Sequence, residues 1–381
     1  MIYIITIMLT ILFSYFANIY LLKENKHDKR KGYIFLALSM VIPCLLAGLR
    51  AVGVGSDTAG YLKNDFNLIN SNNFTDTLKK SNEEIGFISL VFLADKIFNN
   101  INWVMFVIEF VILLFVYKYA FDKKNIKEAT SIIAIYIILC YGESLCTMRQ
   151  HISLAILLYS INCLNGKKYG KCLILWILAI LFHTTSIIYI LIYILLFENN
   201  NIKISKRKRN VIFFAIIAIV TYFTVFLKQN ILLAVKLKVI SERYLFYVNS
   251  NRFVYSNPNY ITTKLLYDII FICLFIILWK KEKDNAKKEK DKISIIILII
   301  NLIFYVTSRK YIILSRFSTY FFNTAILINP NFYKQNDTNR KINIYKIIFY
   351  LLILSNFVME VFINSNNVGG YNLYPYKFFW K

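Results

Sequence analysis

Residues 1–22 read "MIYIITIMLTILFSYFANIYLL" and contain no charged side chain. About 20 consecutive apolar residues form a helix long enough to cross the hydrocarbon core of a bilayer. The run has neither a basic start nor a small-residue cleavage site. We therefore interpret it as a retained transmembrane helix and not as a signal peptide.

Apolar runs of this kind recur along all 381 residues, of which 58% are hydrophobic and 17% charged. These proportions are too apolar for a soluble domain. The sequence predicts an all-α polytopic integral membrane protein, with one polytopic domain over 1–381 and about 10–13 transmembrane or re-entrant helices. The spans are expected near 2–22, 33–49, 101–121, 129–142, 147–165, 211–227, 264–280, 292–308, 314–329 and 345–363.

Two further apolar segments have no single interpretation. Residues 85–98 are too short to span a bilayer as a helix and are interrupted by Asp95 and Lys96. Residues 172–197 are long enough to cross, but they contain the polar sequence "FHTTS". A break at 183–186 lining a wet cavity would let this segment dip into the membrane and return, or cross it twice.

The net charge of +24 comes from lysines and arginines clustered between apolar runs. Such clusters are typical of cytoplasmic loops, so the charge indicates topology and not a nucleic-acid partner. Placing the basic loops on the cytoplasmic side of the membrane puts both termini outside. It also predicts outward loops at about 50–84 and 228–263. The basic loops are 23–32, 118–127, 166–171, 203–209, 280–292 and 334–346.

Four arginines stand at the outer ends of apolar runs, against the usual charge bias: Arg50, Arg149, Arg309 and Arg316. A guanidinium stays charged and presents a planar fork of donors that matches phosphate oxygens. We expect Arg50, Arg149 and Arg316 to meet at an outward-facing cavity and to bind an anionic substrate. A lipid-linked diphosphate sugar has the required charge.

His183 lies between apolar residues, where a histidine must be paired or functional. Its ordinary pKa lets it accept a proton near neutral pH, so it is the first candidate for a general base. Asp57 is the rival candidate, seven residues after Arg50. Glu83, Glu84 and Glu143 could bind sugar hydroxyls, orient an arginine or act as base.

The sequence does not indicate a metal site. It has no HExxH motif and no DxD motif, and its three histidines are scattered. The six cysteines lie in or beside apolar runs without a CxxC pair, so we interpret them as packing residues. We expect neither a metal nor another cofactor.

Several blocks along the chain resemble those of the EpsG family of Wzy-type bacterial exopolysaccharide polymerases. The segment "LAGLRAVGVGSDTAGYLKNDF" (46–66) resembles the family signature, with an arginine, a glycine, an Asp-Thr pair and a tyrosine in order. The other similar blocks are "EEIGF" (83–87), "MRQHISLAILLYSI" (148–161), "LFHTTSIIYI" (181–190) and the terminal "YPYKFF" (374–379).

The resemblance implies a GT-C-like helical fold and a metal-independent polymerase. Such an enzyme joins undecaprenyl-diphosphate-linked oligosaccharide units on the outer face of the bacterial cytoplasmic membrane, where it is in contact with membrane lipids. Candidate protein partners are a chain-length regulator and a flippase. An O-antigen-ligase-like transferase and a lipid-linked oligosaccharide flippase are the alternative functions. The resemblance and the residue chemistry together assign catalysis to His183 or Asp57. They assign substrate binding to Arg50, Arg149, Arg316, Arg309, Thr58, Tyr61, Glu84 and Gln150.

Overall fold

The computed structural model describes residues 1–81, 83–122, 126–200, 206–237, 245, 258–282, 285–308, 311, 313–329, 340–366 and 370–380. Within these ranges the regular structure is helical, apart from one isolated bridge between Arg50 and Phe378. The predicted all-α class is therefore confirmed.

The α-helices are α1 Ile2–Leu21, α2 Lys26–Leu49, α3 Lys63–Ser71, α4 Phe74–Lys80, α5 Ile85–Phe98, α6 Ile101–Phe121, α7 Ile126–Ser144, α8 Met148–Asn165, α9 Tyr169–Phe182, α10 Ile190–Asn200, α11 Lys206–Val225, α12 Leu227–Lys236, α13 Pro258–Lys281, α14 Asn285–Ser308, α15 Ile313–Ile328 and α16 Arg340–Val358. Short π-helical segments lie at Thr58–Leu62 and Met359–Ile363, and a 3-10 helix lies at Thr184–Tyr189.

Five of the described helical segments are long and apolar enough to cross a membrane, so the protein is a multi-pass membrane protein. A sixth span results if Asn210–Val225 and Leu227–Lys236, which meet at an angle of 79°, form one broken span. The prediction of about 10–13 segments also counted shorter helices, such as α9. The five segments are Ile2–Leu21, Lys26–Leu49, Ile101–Phe121, Lys288–Ser308 and Ile344–Ile363.

Helix α1 shows how the molecule is adapted to lipid. Its buried face carries Thr6, Thr10, Ser14 and Asn18, each one helical turn after the last, while apolar side chains such as Met8 are exposed. The Asn18 amide donates to the hydroxyl of Thr130 on α7, and that hydroxyl donates to the Ser14 carbonyl at 3.1 Å. Polar groups between helices hold them together where the surroundings are apolar.

The chain divides into two compact units. The first consists mainly of Met1–Ile187 and Tyr350–Lys381. In it, α8 is largely buried and packs against α6, α7 and α9, while α5 packs against α3, α6 and α9. The candidate site lies in this unit. The prediction of one polytopic domain stays a prediction.

The second unit consists of Ile188–Asn331 and Asn339–Phe349. Its helix α14 packs against α10, α11, α13 and α15. A buried chain of side chains joins three of these helices: the Asn301 amide donates to Asp268 at 2.8 Å, and Ser318 donates to the Asn301 oxygen at 2.5 Å.

Both ambiguous segments form short helices. Residues 85–98 coincide with α5, which has 14 residues. The expected break in 172–197 is confirmed, because α9 ends at Phe182 and His183 has an extended backbone before the 3-10 helix begins. Whether either segment crosses or re-enters the membrane stays a prediction.

The predicted loops contain more structure than the sequence suggested. Residues 50–84 include the π-helical turn, α3 and α4. The prediction for 228–263 falls partly on α12 and the start of α13, and the rest of that loop lies outside the described residues.

Candidate functional site

The signature loop, residues 50–61, is held by the C-terminal tail. The Ala51 N–H donates to the Lys377 carbonyl at 2.8 Å, and the Phe379 N–H donates to the Leu49 carbonyl at 3.1 Å. Further along, the N–H groups of Gly55 and Ser56 donate to the tail carbonyls of residues 372 and 371 at 2.9 and 3.1 Å. Two of the family-like blocks, at opposite ends of the sequence, therefore form one antiparallel contact.

Gly55 makes the turn of this loop. Its φ of +100° lies in a region that favours glycine. A Cβ at Gly55 would also lie 3.0 Å from the Thr58 hydroxyl oxygen, 3.1 Å from the Leu145 carbonyl and 3.2 Å from the Arg50 guanidinium. The glycine therefore lets the loop close tightly around the arginine.

The side chain of Arg50 points into the protein, where the residue is only 1% exposed. Its guanidinium donates to the Leu145 carbonyl and lies 3.7 Å from the Met148 sulfur. The buried carboxyl group of Glu109, which the Ser144 hydroxyl contacts at 3.2 Å, is among the groups that act on it electrostatically. In this geometry Arg50 ties the end of α2 to the turn that precedes α8.

The other signature residues lie around the same turn. Ser56 contacts Cys146 at 2.8 Å, and Asp57 is half-buried and acts electrostatically on the same cysteine. Thr58 is fully buried. Gln150 is buried one position after Arg149, in the first turn of α8.

A second group of side chains, which we call the Glu84 cluster, joins Glu83, Glu84, Arg149, His183 and Thr184. Glu84 Oε1 accepts hydrogen bonds from His183 Nδ1 at 3.1 Å and from the N–H and hydroxyl of Thr184 at 3.1 and 3.3 Å. Its Oε2 accepts from the Arg149 guanidinium at 2.7 Å. The same guanidinium nitrogen also donates to Glu83. Three blocks separated by up to 100 residues therefore meet at one carboxylate.

Local backbone features bring these side chains together. Glu84 precedes α5, Arg149 stands in the first turn of α8, and His183 follows the last residue of α9. A Cβ at Gly86 would lie 2.7 Å from the Leu181 carbonyl oxygen, so only glycine lets α5 approach the end of α9 this closely. The Ser153 hydroxyl of α8 donates to the Ala179 carbonyl at 2.6 Å, which holds α8 against α9.

The contacts of Glu84 define its charge and the tautomer of His183. Burial by itself raises the pKa of Glu84, but hydrogen bonds from His183 and Thr184 bring that pKa below its ordinary value. An ionised carboxylate can only accept hydrogen bonds, so Nδ1 of His183 carries the proton. In the neutral imidazole, Nε2 then holds the lone pair, which is the arrangement of an oriented base.

The cluster is largely enclosed, yet it reaches the surface through Arg149 and Glu83, whose side chains are 13% and 12% exposed. The ring of Phe87 lies 5.8 Å from the Arg149 guanidinium carbon. Two carboxylates share one guanidinium, so the cluster combines a cation with groups able to accept protons and bind hydroxyls. Together these groups can perform acid–base chemistry on a polar substrate.

Asp65, on α3, lies next to this cluster. Burial raises the pKa of its carboxyl to about 6, although the Ser81 hydrogen bond and Arg149 act in the opposite direction. Glu84 acts in the same direction as burial, and the pKa of about 6 is the net result of these effects. Asp65 therefore changes its charge close to neutral pH.

The structure brings only some of the sequence-predicted residues together. It joins Glu84, Arg149 and His183, and it places Arg50, Asp57, Thr58 and Gln150 in the same unit. Arg316 is half-buried on α15 of the second unit. Arg309 and the side chain of Tyr61 lie outside the described residues, so the meeting of three arginines stays a prediction.

Three polar side chains of the site were not among the predicted residues: Asp65, Ser81 and Thr184. Thr184 had a visible signal, since it follows His183 inside an apolar segment. Asp65 and Ser81 stand in polar surroundings with no distinguishing spacing. Among the described residues, no three His, Cys, Asp or Glu side chains are grouped as a metal site requires.

Residues 33–378 match the EpsG family. Comparisons with curated proteins and with solved structures give no match. The matched range contains the signature loop, the Glu84 cluster and most of the tail that binds the loop. Because this match extends over most of a helical multi-pass membrane protein, the chain belongs to the EpsG family, which acts in exopolysaccharide synthesis.

Proposed function

We propose that this protein polymerises oligosaccharide repeat units carried on a polyprenyl diphosphate, at the outer face of the bacterial cell membrane. Family membership supports the reaction class. The observation that carries the residue assignment is the Glu84 cluster, in which an arginine and an oriented histidine share one carboxylate.

In the proposed reaction, a hydroxyl oxygen of the acceptor unit attacks the anomeric carbon of the growing chain. The bond from that carbon to the diphosphate breaks, and the diphosphate leaves with the electron pair. Nε2 of His183 takes the hydroxyl proton, and Glu84 stabilises the resulting imidazolium through Nδ1. Arg149 stabilises the negative charge of the departing diphosphate.

Arg50 has a different role in this proposal from the substrate contact that the sequence predicted, whereas Asp57 keeps its predicted role. Arg50 acts as a positioning residue, because its guanidinium is enclosed against the turn before α8. Asp57 lies by Cys146 at that same turn. It is kept as the rival base, since it is only half-buried.

The base is tested by His183→Gln in proteoliposomes supplied with lipid-linked repeat units. Glutamine cannot accept a proton at neutral pH, so the polymerisation rate should fall by about 10²–10⁴-fold, the usual contribution of a general base. His27→Gln is the matched control, because His27 is exposed near the start of α2 and should leave the rate unchanged. A normal rate for His183→Gln with an inactive Asp57→Asn would transfer the role to Asp57.

The role of Arg149 is tested by Arg149→Lys in the same assay. Lysine keeps the charge but loses the planar fork, so we expect a loss of about tenfold or more. Arg207→Lys, an exposed substitution at the start of α11, is the control. Full activity of Arg149→Lys would remove the guanidinium from the mechanism.

Product analysis separates the three candidate functions. A polymerase lengthens the glycan on the lipid carrier, a ligase moves it to a different acceptor, and a flippase changes only its side of the membrane. Longer lipid-linked glycans made by the purified protein alone are expected. Transport without new glycosidic bonds would refute the polymerase assignment.

A further inference from the structure

A chain of hydrogen bonds connects the buried carboxyl of Asp65 to the guanidinium of Arg149. The Ser81 hydroxyl donates to Asp65 Oδ1 at 3.2 Å and accepts from the Glu83 N–H at 3.0 Å. The Glu83 carboxylate in turn accepts from Arg149. Asp65 lies on α3, whereas Ser81 and Glu83 lie in the short linker between α4 and α5, so these hydrogen bonds join α3 to that linker.

Asp65 is enclosed to an unusual degree for a carboxyl group. The residue is 6% exposed, and its Oδ2 has no hydrogen-bond partner in the described part of the chain. The charged groups that act on it are Arg149 and Glu84, while Lys80 of the adjacent helix is bonded to Asn72 instead. Ionising a buried carboxyl group costs free energy when one of its oxygens accepts no hydrogen bond.

We infer that Asp65 is a positioning residue that controls, through Ser81 and Glu83, whether Arg149 is open to an anionic head group. The anion's identity, a diphosphate diester, rests on the proposed function. When Asp65 is ionised it holds the Ser81 proton, which leaves the Ser81 lone pairs directed at the Glu83 N–H. Glu83 is then fixed on Arg149.

Protonation of Asp65 removes this restraint on Glu83. The neutral carboxyl no longer requires the Ser81 proton, and one negative charge disappears from beside the cluster. Glu83 is then free to leave the guanidinium, and an anion can replace it. Since Arg149 already holds two carboxylates, a diphosphate must compete with at least one of them.

Anion binding and protonation of Asp65 therefore favour each other. A diphosphate at Arg149 places like charge near Asp65, which raises the pKa of that carboxyl further. By the same linkage, lowering the pH through about 6 should strengthen the binding of the anion.

The test is direct binding to the full chain in lipid nanodiscs. The probe is a polyprenyl diphosphate esterified to one sugar, whose phosphates keep the same charge between pH 5.5 and 7.5. If only the form with protonated Asp65 binds, a pKa near 6 predicts affinity about 25-fold higher at pH 5.5 than at pH 7.5. Asp65→Asn should bind tightly at both pH values, because asparagine is neutral throughout.

Two further variants complete the design. Asp76→Asn, on the neighbouring α4, should keep the pH response of the unmodified protein. Ser81→Ala breaks this chain of hydrogen bonds while it keeps the Asp65 carboxyl, so it should bind tightly already at pH 7.5. It also keeps the proposal testable if Asp65→Asn does not fold.

Each other outcome has a definite meaning. A pH response that persists in Asp65→Asn, or binding by Ser81→Ala that is as weak at pH 7.5 as in the unmodified protein, overturns the control by Asp65. Binding of the probe without any pH response overturns it as well, but leaves the proposed polymerase function intact. Absence of probe binding at every pH overturns both.

Discussion

Gly55 shows how strictly a single residue can be constrained by the signature loop. Its backbone has a φ of +100°, and its missing side chain leaves room for the Arg50 guanidinium and the Thr58 hydroxyl. Gly53, two residues earlier, has open space around the position of a Cβ. The two glycines look alike in the sequence but differ in what they permit.

We expect Gly55→Ala to lower the stability of the protein by about 1–3 kcal/mol, because the backbone is strained and the Cβ crowds three neighbours. Thermal unfolding in detergent measures the effect, with Gly53→Ala as the matched control. Equal midpoints for the two variants would contradict the described turn.

For Arg50, the sequence predicted a functional role but not the residues that surround its side chain. An arginine at the end of an apolar run needs an explanation, and phosphate binding was the chemical one available. The Leu145 carbonyl and the Met148 sulfur that it contacts lie almost 100 residues further along the chain. No local pattern identifies partners at that distance.

Among the helices, the contact between α5 and the end of α9 decides whether the Glu84 cluster exists. Gly86 allows the approach, and the backbone break at His183 turns the imidazole toward Glu84. The break was predictable, since "FHTTS" interrupts an apolar run. The approach was not, because "EEIGF" by itself does not say which helix it meets.

Gly86→Ala should separate these two helices. The added Cβ would lie 2.7 Å from the oxygen and 2.9 Å from the carbon of the Leu181 carbonyl, and neither backbone atom can rotate away. A displacement of about 1 Å at a catalytic group can cost about 10²-fold in rate. Polymerisation in proteoliposomes should fall by that order while membrane insertion is normal.

Gly170→Ala is the control for this variant, since Gly170 lies in α9 and has nothing within 4 Å of its Cβ position. If Gly86→Ala polymerises as fast as Gly170→Ala, the close contact of α5 and α9 is not needed for the reaction.

For the whole molecule, the prediction that matters most is its orientation in the membrane. The basic clusters predict a cytoplasmic start for α14 and an outward position for the region of α3 and α4. The Glu84 cluster would then face the outer side of the membrane, as the proposed function requires. The inward polar face of α1 supports the membrane assignment, but it does not distinguish inside from outside.

Cysteine labelling tests this orientation. Cys273 is exposed and must first be replaced by serine, while the other five cysteines are buried. An impermeant thiol reagent added outside intact cells should label a cysteine at Ser71, which is exposed on α3, but not one at Asn285. Outside labelling at Asn285 would reverse the orientation and place the cluster on the cytoplasmic side.

The sequence by itself determined the helical membrane class, the break at His183 and the blocks that carry the family resemblance. These properties depend on hydrophobic run length and on polar residues within apolar surroundings, which are local features of the chain. The tertiary structure alone decided which polar residues meet. Glu84 joins Arg149 and His183 because α5, α8 and α9 pack with their ends together, whereas Arg50 is enclosed by a turn and by the C-terminal tail. Such contacts link residues about 65 to 330 positions apart, so they follow from packing and not from any spacing in the sequence.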